Sequence, residues 1–178
     1  FAHSQGVVHL DLKPDNVRVG KHGEVIVCDW GLAKVTYEDC NETLLKKDSL
    51  DSCNIQLTLY GRGTPGYMAP EQFRNDQSPN RPSDIYSLGA ILYTILTGKS
   101  PLSGFNYDDI KKRTISGEIK PPSLKTPHGD IPMSLEAICM KALSTDPDER
   151  YQTVTELIAE IHTYLNGFAP KAENAAAC

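Results

Sequence analysis

Apolar positions recur at helical spacing through the second half of the chain. Ile85, Leu88, Ile91, Leu92, Ile95 and Leu96 fall three or four apart, predicting a helix from Ser83 that Gly98 ends as a C-cap. Apolar residues surround most of that helix, so it reads as a buried central one. A shorter helix is predicted near 106–116, followed by a loop through "PPSLKTPHGDIP". Leu135, Ile138, Cys139, Ala142 and Leu143 mark a further amphipathic helix. Thr153 and Glu156 fit a capping box. The helix it opens has Val154, Leu157, Ile158, Ile161 and Leu165 on its apolar face.

Nearer the N-terminus the period changes. Val17 and Val19 alternate with Arg18, "GKHG" supplies a turn, and "EVIVC" returns as a β-branched strand. This predicts a β-hairpin over 16–28. Residues 36–58 are polar and irregular and read as a long loop, within which "LLKKDSL" has the pattern of one helical turn. "NGFAPKAENAAAC" reads as a frayed tail, so the predicted domain spans 1–166 and a flexible tail or linker spans 167–178. No internal repeat occurs. The whole predicts an α+β fold, mainly α, with a small hairpin at its N-terminal edge.

Composition narrows the function classes. The 178 residues suffice for one domain with a core. Acidic residues outnumber Lys and Arg by 23 to 18, giving a net charge of −5, and no basic run stands out. A nucleic-acid partner is therefore not expected. Cys28, Cys40, Cys53, Cys139 and Cys178 are odd in number and share no metal-ligand spacing, which reads as reduced thiols in a cytoplasmic setting. No apolar run approaches the ~18 residues of a membrane span, and "FAHSQGVVHL" lacks the pattern of a leader. The chain opens on Phe1 and runs almost at once into a dense polar motif, so it reads as a piece of something longer.

That motif is "HLDLKPDNVRVGKHGEVIVCDWGLAK", residues 9–34. Folding the hairpin at "GKHG" brings Asn16, which begins one strand, and Asp29, which follows the other, to the same open end. An amide oxygen and a carboxylate there suit a hard cation such as Mg²⁺, which completes its shell with phosphate oxygens and water. Asp11 and Lys13 lie on the loop entering the same edge, stiffened by Pro14. Cations for phosphate oxygens and an acceptor for a hydroxyl proton are what phosphoryl transfer needs. Taken singly, Asp and Asn beside Pro are ordinary turn residues; the convergence of four such groups is what points to a site. His9 reads as a packed, structural histidine.

With these residues in view, "HLDLKPDN", "DWG", "GTPGYMAPE", "DIYSLGAILYTILTG" and "DPDERY" resemble, in order, five motifs of the eukaryotic-like protein kinases, most closely the bacterial members. The resemblance covers about residues 7–165. It implies the C-terminal lobe of a serine/threonine kinase catalytic domain, with an activation segment over 29–71 that carries a polar insert at about 36–57. It further implies ATP and Mg²⁺ as cofactors, Mn²⁺ as a substitute metal, and protein substrates. Asp11 is then the catalytic base and Lys13 contacts the transferring phosphate. Asn16 and Asp29 ligate the metal, Arg18 lies beneath adenine, and Gly31 allows the turn after the metal ligand. Thr64, Gly66 and Tyr67 belong to the substrate loop. Trp30 packs on His9, Glu71 pairs with Arg150, and Asp84 holds the catalytic-loop backbone.

Some positions depart from the family pattern. Leu10 stands where many members have an arginine that grips a phosphorylated loop, which argues for activity independent of that phosphorylation. Trp30 replaces a phenylalanine, and Arg18 an apolar residue. The family's N-terminal lobe, with its glycine-rich phosphate loop, strand lysine and glutamate partner, is not read in the chain. Alone, the segment is expected to be inactive and to expose an apolar face, through which a homodimer can form. A pseudokinase acting as a binding module and a small-molecule phosphotransferase are the alternatives. Thr43, Ser49 and Ser52 in the insert are candidate regulatory hydroxyls beside the plainer reading of a solvated loop.

Overall fold

A computed structural model describes residues 1–36, 63–74, 78–126 and 129–176. Residues 37–57 of the polar insert, with its predicted helical turn and its three hydroxyl residues, lie outside the described residues.

The predicted hairpin forms, with strands β2 (Val17–Val19) and β3 (Val25–Val27) paired antiparallel and Val17 opposite Val27. A second two-stranded sheet pairs β1 (Val7–Val8) with β4 (Lys34–Val35). Strands of two residues carry too little alternation to be read in advance. Together the two sheets fix both ends of the polar motif: β1 leads into the catalytic loop, and β4 receives the chain after Asp29.

Helices make up the remainder: α1 (Pro70–Phe73), α2 (Arg81–Thr97), α3 (Tyr107–Ser116), α4 (Pro122–Lys125), α5 (Met133–Ala142), α6 (Val154–Leu165) and α7 (Lys171–Ala176). Helix α2 starts two residues before the predicted Ser83. The side chain of Asn80 accepts from the N–H of Arg81, Ser83 Oγ accepts from the N–H of Asn80, and Pro82 sits in the first turn. Gly98 ends α2 in the left-handed conformation, its N–H bonded to Thr94.

Helix α2 is central because it feeds two cores. Tyr86, Ala90 and Tyr93 pack with Ala69, Leu102, Ile119 and Leu143. Ile85 packs with Ala137, Ile138, Ala142, Tyr151 and Leu157. Each such buried aliphatic side chain contributes about 1.5–3 kcal/mol. Gly89 permits the close crossing of α2 and α5, since a Cβ there would lie 2.7 Å from the Ala142 Cβ. The helix is not buried throughout: Ile95 is 74% exposed. Cys139, buried in this core, has its thiol pushed up to about 12 by burial, with the Glu136 charge adding.

Other expectations need adjustment. The "PPSLKTPHGDIP" loop contains the short helix α4. At α6, Thr153 caps as predicted, its Oγ1 accepting from the N–H of Glu156, but Glu156 turns its carboxylate to the N–H of Gln152. The larger correction is residues 167–178, which contain α7 where a frayed tail is predicted. Pro170 and Ala172 are buried, and the Glu160 carboxylate accepts the N–H groups of Lys171 and Ala172. Ser134 on α5 donates to Glu173. Alanines are good helix formers but carry no apolar period, so only the groove that receives Ala172 reveals the docking.

Among the described residues, no helix is long and apolar enough to cross a membrane, and Cys28 and Cys139 are free thiols.

Candidate active site

Asp11 is the hub. Its Oδ1 accepts two hydrogen bonds from Thr64, from the backbone N–H and from the hydroxyl, both at 2.9 Å. Its Oδ2 lies 3.2 Å from Lys13 Nζ and 3.3 Å from Asn16 Nδ2. Lys13 Nζ also donates to Thr64 Oγ1 at 2.8 Å, closing a ring of Asp11, Lys13 and Thr64. Charge-assisted bonds of this kind are about twice as strong as neutral ones. Asp11, Lys13 and Asn16, three of the four groups that the sequence reading brought to one edge, are thus in contact, with Thr64 beside them.

The placing of Asn16 and Asp29 follows from the hairpin. A 3-10 turn at Pro14–Asn16 aims Asn16, its Nδ2 donating to the carbonyl of Asp11 at 2.9 Å. Across the open end, the N–H of Cys28 donates to the carbonyl of Asn16 at 2.8 Å, which holds Asp29 one residue from Asn16's partner. Among the described residues no donor reaches Asn16 Oδ1 or the exposed Asp29 carboxylate. Two uncommitted oxygen donors at one edge have the chemistry that would hold a hard divalent cation.

Leu10 and Asp29 have φ of 65° and 60°, the left-handed region that costs non-glycine residues of order 1–3 kcal/mol at sites such as this. The left-handed position at this turn is Asp29 itself. Gly31 leaves room, since a Cβ there would stand 3.3 Å from Asp29 Oδ1. Leu10 is held on both sides. Its N–H donates to Asp84 Oδ1 at 2.8 Å, and its carbonyl accepts from Gln72 Nε2 at 2.9 Å.

Asp84, buried in the first turn of α2, takes the N–H of His9 on its other oxygen at 2.8 Å. His9 is buried, its Nδ1 accepting from the N–H of Asp11 and its Nε2 bonded to the carbonyl of Cys28. It thus ties the Asp11 loop to the open end of the hairpin. Trp30 lies against it with ring centroids 4.6 Å apart and donates its indole N–H to Val27.

The substrate loop is a turn on a firm floor. The Tyr67 N–H donates to Thr64 O, Ser87 Oγ donates to Tyr67 O, and the Tyr67 hydroxyl meets Thr94 Oγ1 at 3.2 Å. Gly66 faces Ser100, with a Cβ there 3.1 Å from Ser100 Oγ. Gly63 has φ 128° and passes so close that a Cβ would meet the Leu10 carbonyl at 3.0 Å. The spacing G-x-G-x-x-G does occur, as "GRGTPG" at 61–66. The Thr64 N–H in it is spent on the Asp11 carboxylate, which has the wrong charge for a phosphate cradle.

Below the loop, Glu71 and Arg150 form a two-pronged buried pair at 2.8 and 2.9 Å. Ser83 Oγ donates to Glu71 at 2.7 Å, and the remaining guanidinium donors reach the carbonyls of Ser144, Pro82 and Thr145. Burial pushes the Glu71 carboxyl upward, but the Arg150 hydrogen bonds and charge, with Ser83, outweigh it and hold it below the usual carboxylate range.

Arg18 does not join the Asp11 cluster; it sits exposed at the centre of β2 opposite Ile26. Two contributors have no signal in the sequence. His3, in the 3-10 turn at Ala2–Gln5, bonds Asp84 Oδ2 at 2.7 Å, and Gln72 holds the Leu10 carbonyl. Both act across long sequence separations that periodicity does not report.

A family model described as protein kinase domain matches residues 1–163. A serine/threonine-protein kinase PknD of Protochlamydia amoebophila is 43% identical over 171 residues, covering 94% of this chain and 17% of that protein. A PknD of Chlamydia trachomatis serovar L2b is 37% identical over 177 residues, covering 94% of this chain and 18% of its own length. A PknD of Chlamydia pneumoniae is 39% identical over 176 residues, covering 96% and 18%. The chain spans less than a fifth of the length of these bacterial relatives. With the match running through the Asp11 loop, the hairpin and the Glu71–Arg150 pair, the chain belongs to the protein kinase domain family.

Proposed function

We propose that this chain is the C-terminal, catalytic lobe of a protein serine/threonine kinase, acting on serine and threonine hydroxyls of protein substrates with ATP as donor. The observation that carries this reading is the Asp11 cluster. One carboxylate is fixed by Thr64, Lys13 and Asn16 at the end of a hairpin whose other strand runs into Asp29. Family membership and the names of the relatives support it.

Asp11 Oδ1 is occupied by Thr64, so Oδ2 orients the incoming hydroxyl and accepts its proton. Lys13 places a positive charge beside that oxygen, toward the transferring phosphate. Asn16 Oδ1 and the Asp29 carboxylate are the groups that hold Mg²⁺, or Mn²⁺ in its place. The bound metal supplies charge neutralisation for the phosphate oxygens. Arg18 lays its aliphatic stem beneath the nucleotide base with its guanidinium in water. Thr64, Gly66 and Tyr67 seat the substrate chain. The glycine-rich phosphate loop and strand lysine are not read within these 178 residues, so the segment alone binds ATP weakly and is inactive.

The test is transfer of labelled phosphate from ATP with Mg²⁺ to a generic protein substrate by the full-length protein that contains this segment. Label on serine or threonine supports the reading. A folded protein that labels nothing overturns it in favour of a binding module with a kinase fold, and label on small alcohols alone overturns the choice of substrate class.

A further inference from the structure

Beside the Thr64–Tyr67 turn, three lysines lie on neighbouring segments, and among the described residues none has an acidic partner. Lys99 follows the C-cap of α2, Lys120 follows α3, and Lys125 ends α4. Hydrogen bonds bring these segments together: Lys125 Nζ donates to Pro101 O at 2.8 Å, and the Tyr93 hydroxyl donates to Lys120 O at 2.9 Å. Burial, then the charges of Lys120 and Lys99, lowers the pKa of Lys125. Among the described residues no carboxylate makes an ion pair with any of the three. Glu136 is the acid on the adjoining helix, and it is engaged by the N–H of Ser123. Gathered like charges cost free energy, so a cluster lacking counter-ions is prepared for an anion from outside.

Its position says which anion. Ser100, next to Lys99, packs on Gly66, two residues beyond the Thr64 that holds Asp11. An extended chain covers about 3.3 Å per residue, so a substrate laid across Thr64–Gly66 reaches this corner within a few residues. We propose that Lys99, Lys120 and Lys125 form an anionic subsite of the substrate groove, so that preferred protein substrates carry aspartate, glutamate or a phosphorylated residue near the target hydroxyl. The proposal rests on the kinase reading and adds the substrate class to it.

Paired serine peptides test it, identical except for acidic, neutral or lysine flanks, with the full-length protein and its Lys99→Glu/Lys120→Glu variant. Exposed ion pairs are each worth a few-fold, so the wild type should favour the acidic peptide by about tenfold in kcat/KM, less as salt rises. The variant should reverse the order and favour lysine flanks. Because the ratio compares two peptides on one protein, a smaller folded fraction cancels. A phosphoserine flank, above or below glutamate in rank, separates the two anion sources and supports the subsite in either order. Equal rates on acidic and neutral peptides, or a preference that the variant retains, overturn the subsite and leave the kinase reading intact. Transfer to no peptide overturns both.

Discussion

Thr64 and Asp11 are joined twice, through the backbone N–H and the hydroxyl of Thr64, both at 2.9 Å to the same carboxylate oxygen. They are 53 residues apart in sequence. The link makes the substrate loop and the catalytic loop one unit, and Lys13 locks it by donating to Thr64 Oγ1. On the proposed kinase reading, where the target hydroxyl sits and where its proton goes are set by the same contact.

Removing the hydroxyl should therefore cost rate. Thr64→Val leaves the backbone bond and deletes the charge-assisted one, worth about 1.5–3 kcal/mol, which lowers kcat about ten- to a hundredfold. Thr64→Ser restores most of it. Steady-state kinetics on one protein substrate decide, and a valine variant with wild-type kcat contradicts the account.

The Glu71–Arg150 pair is structural, and its loss should appear as stability. Breaking a buried pair costs about 3–5 kcal/mol because one charge is left uncompensated. Glu71→Gln should thus lower Tm on the order of 10 °C. Arg150→Lys should not rescue, since lysine cannot satisfy both glutamate oxygens and three carbonyls together.

The pH dependence of that loss has a definite sign. The folded-state pKa of Glu71 lies below its ordinary 4.5, so the pair stabilises fully above that value and loses its contribution as pH falls through the lowered one. The Tm gap between wild type and Glu71→Gln should narrow below about pH 4.5. Thermal unfolding across that range checks it, and a gap that widens in acid refutes it.

Helix α7 should behave as part of the domain, although the family match stops at residue 163. Ala172→Glu places a charge in a packed groove, at about 1–3 kcal/mol. Cleavage between Gly167 and Lys171 by a protease should accelerate and Tm should fall. Unchanged cleavage would show that Glu160 and Ser134 do not hold the helix.

How much was legible depended on the range over which each signal acts. The hairpin, the Gly98 cap and the Thr153 cap are local, and periodicity with capping chemistry places them within two residues. That Asn16 and Asp29 flank the open end of one hairpin was legible because the turn fixes which strand residues meet. His3 on Asp84 spans 81 residues, and Gln72 on Leu10 spans 62. Neither leaves a trace in spacing, because each partner is chosen by the packed fold. The left-handed residue after β3 had no signal in the sequence, since glycine is the usual choice there. Asp29 takes the strain, between Cys28 on Asn16 and Trp30 on Val27.

The central claim is that Asp11, held by Thr64, Lys13 and Asn16, is the proton acceptor of phosphoryl transfer. Single-turnover transfer from ATP with Mg²⁺, in the full-length protein and its Asp11→Asn variant, tests it most directly. General-base catalysis of this kind contributes about a hundred- to ten-thousandfold. The account predicts a loss of that size with Tm within a few degrees of wild type. A folded Asp11→Asn variant that transfers phosphate at the wild-type rate contradicts it.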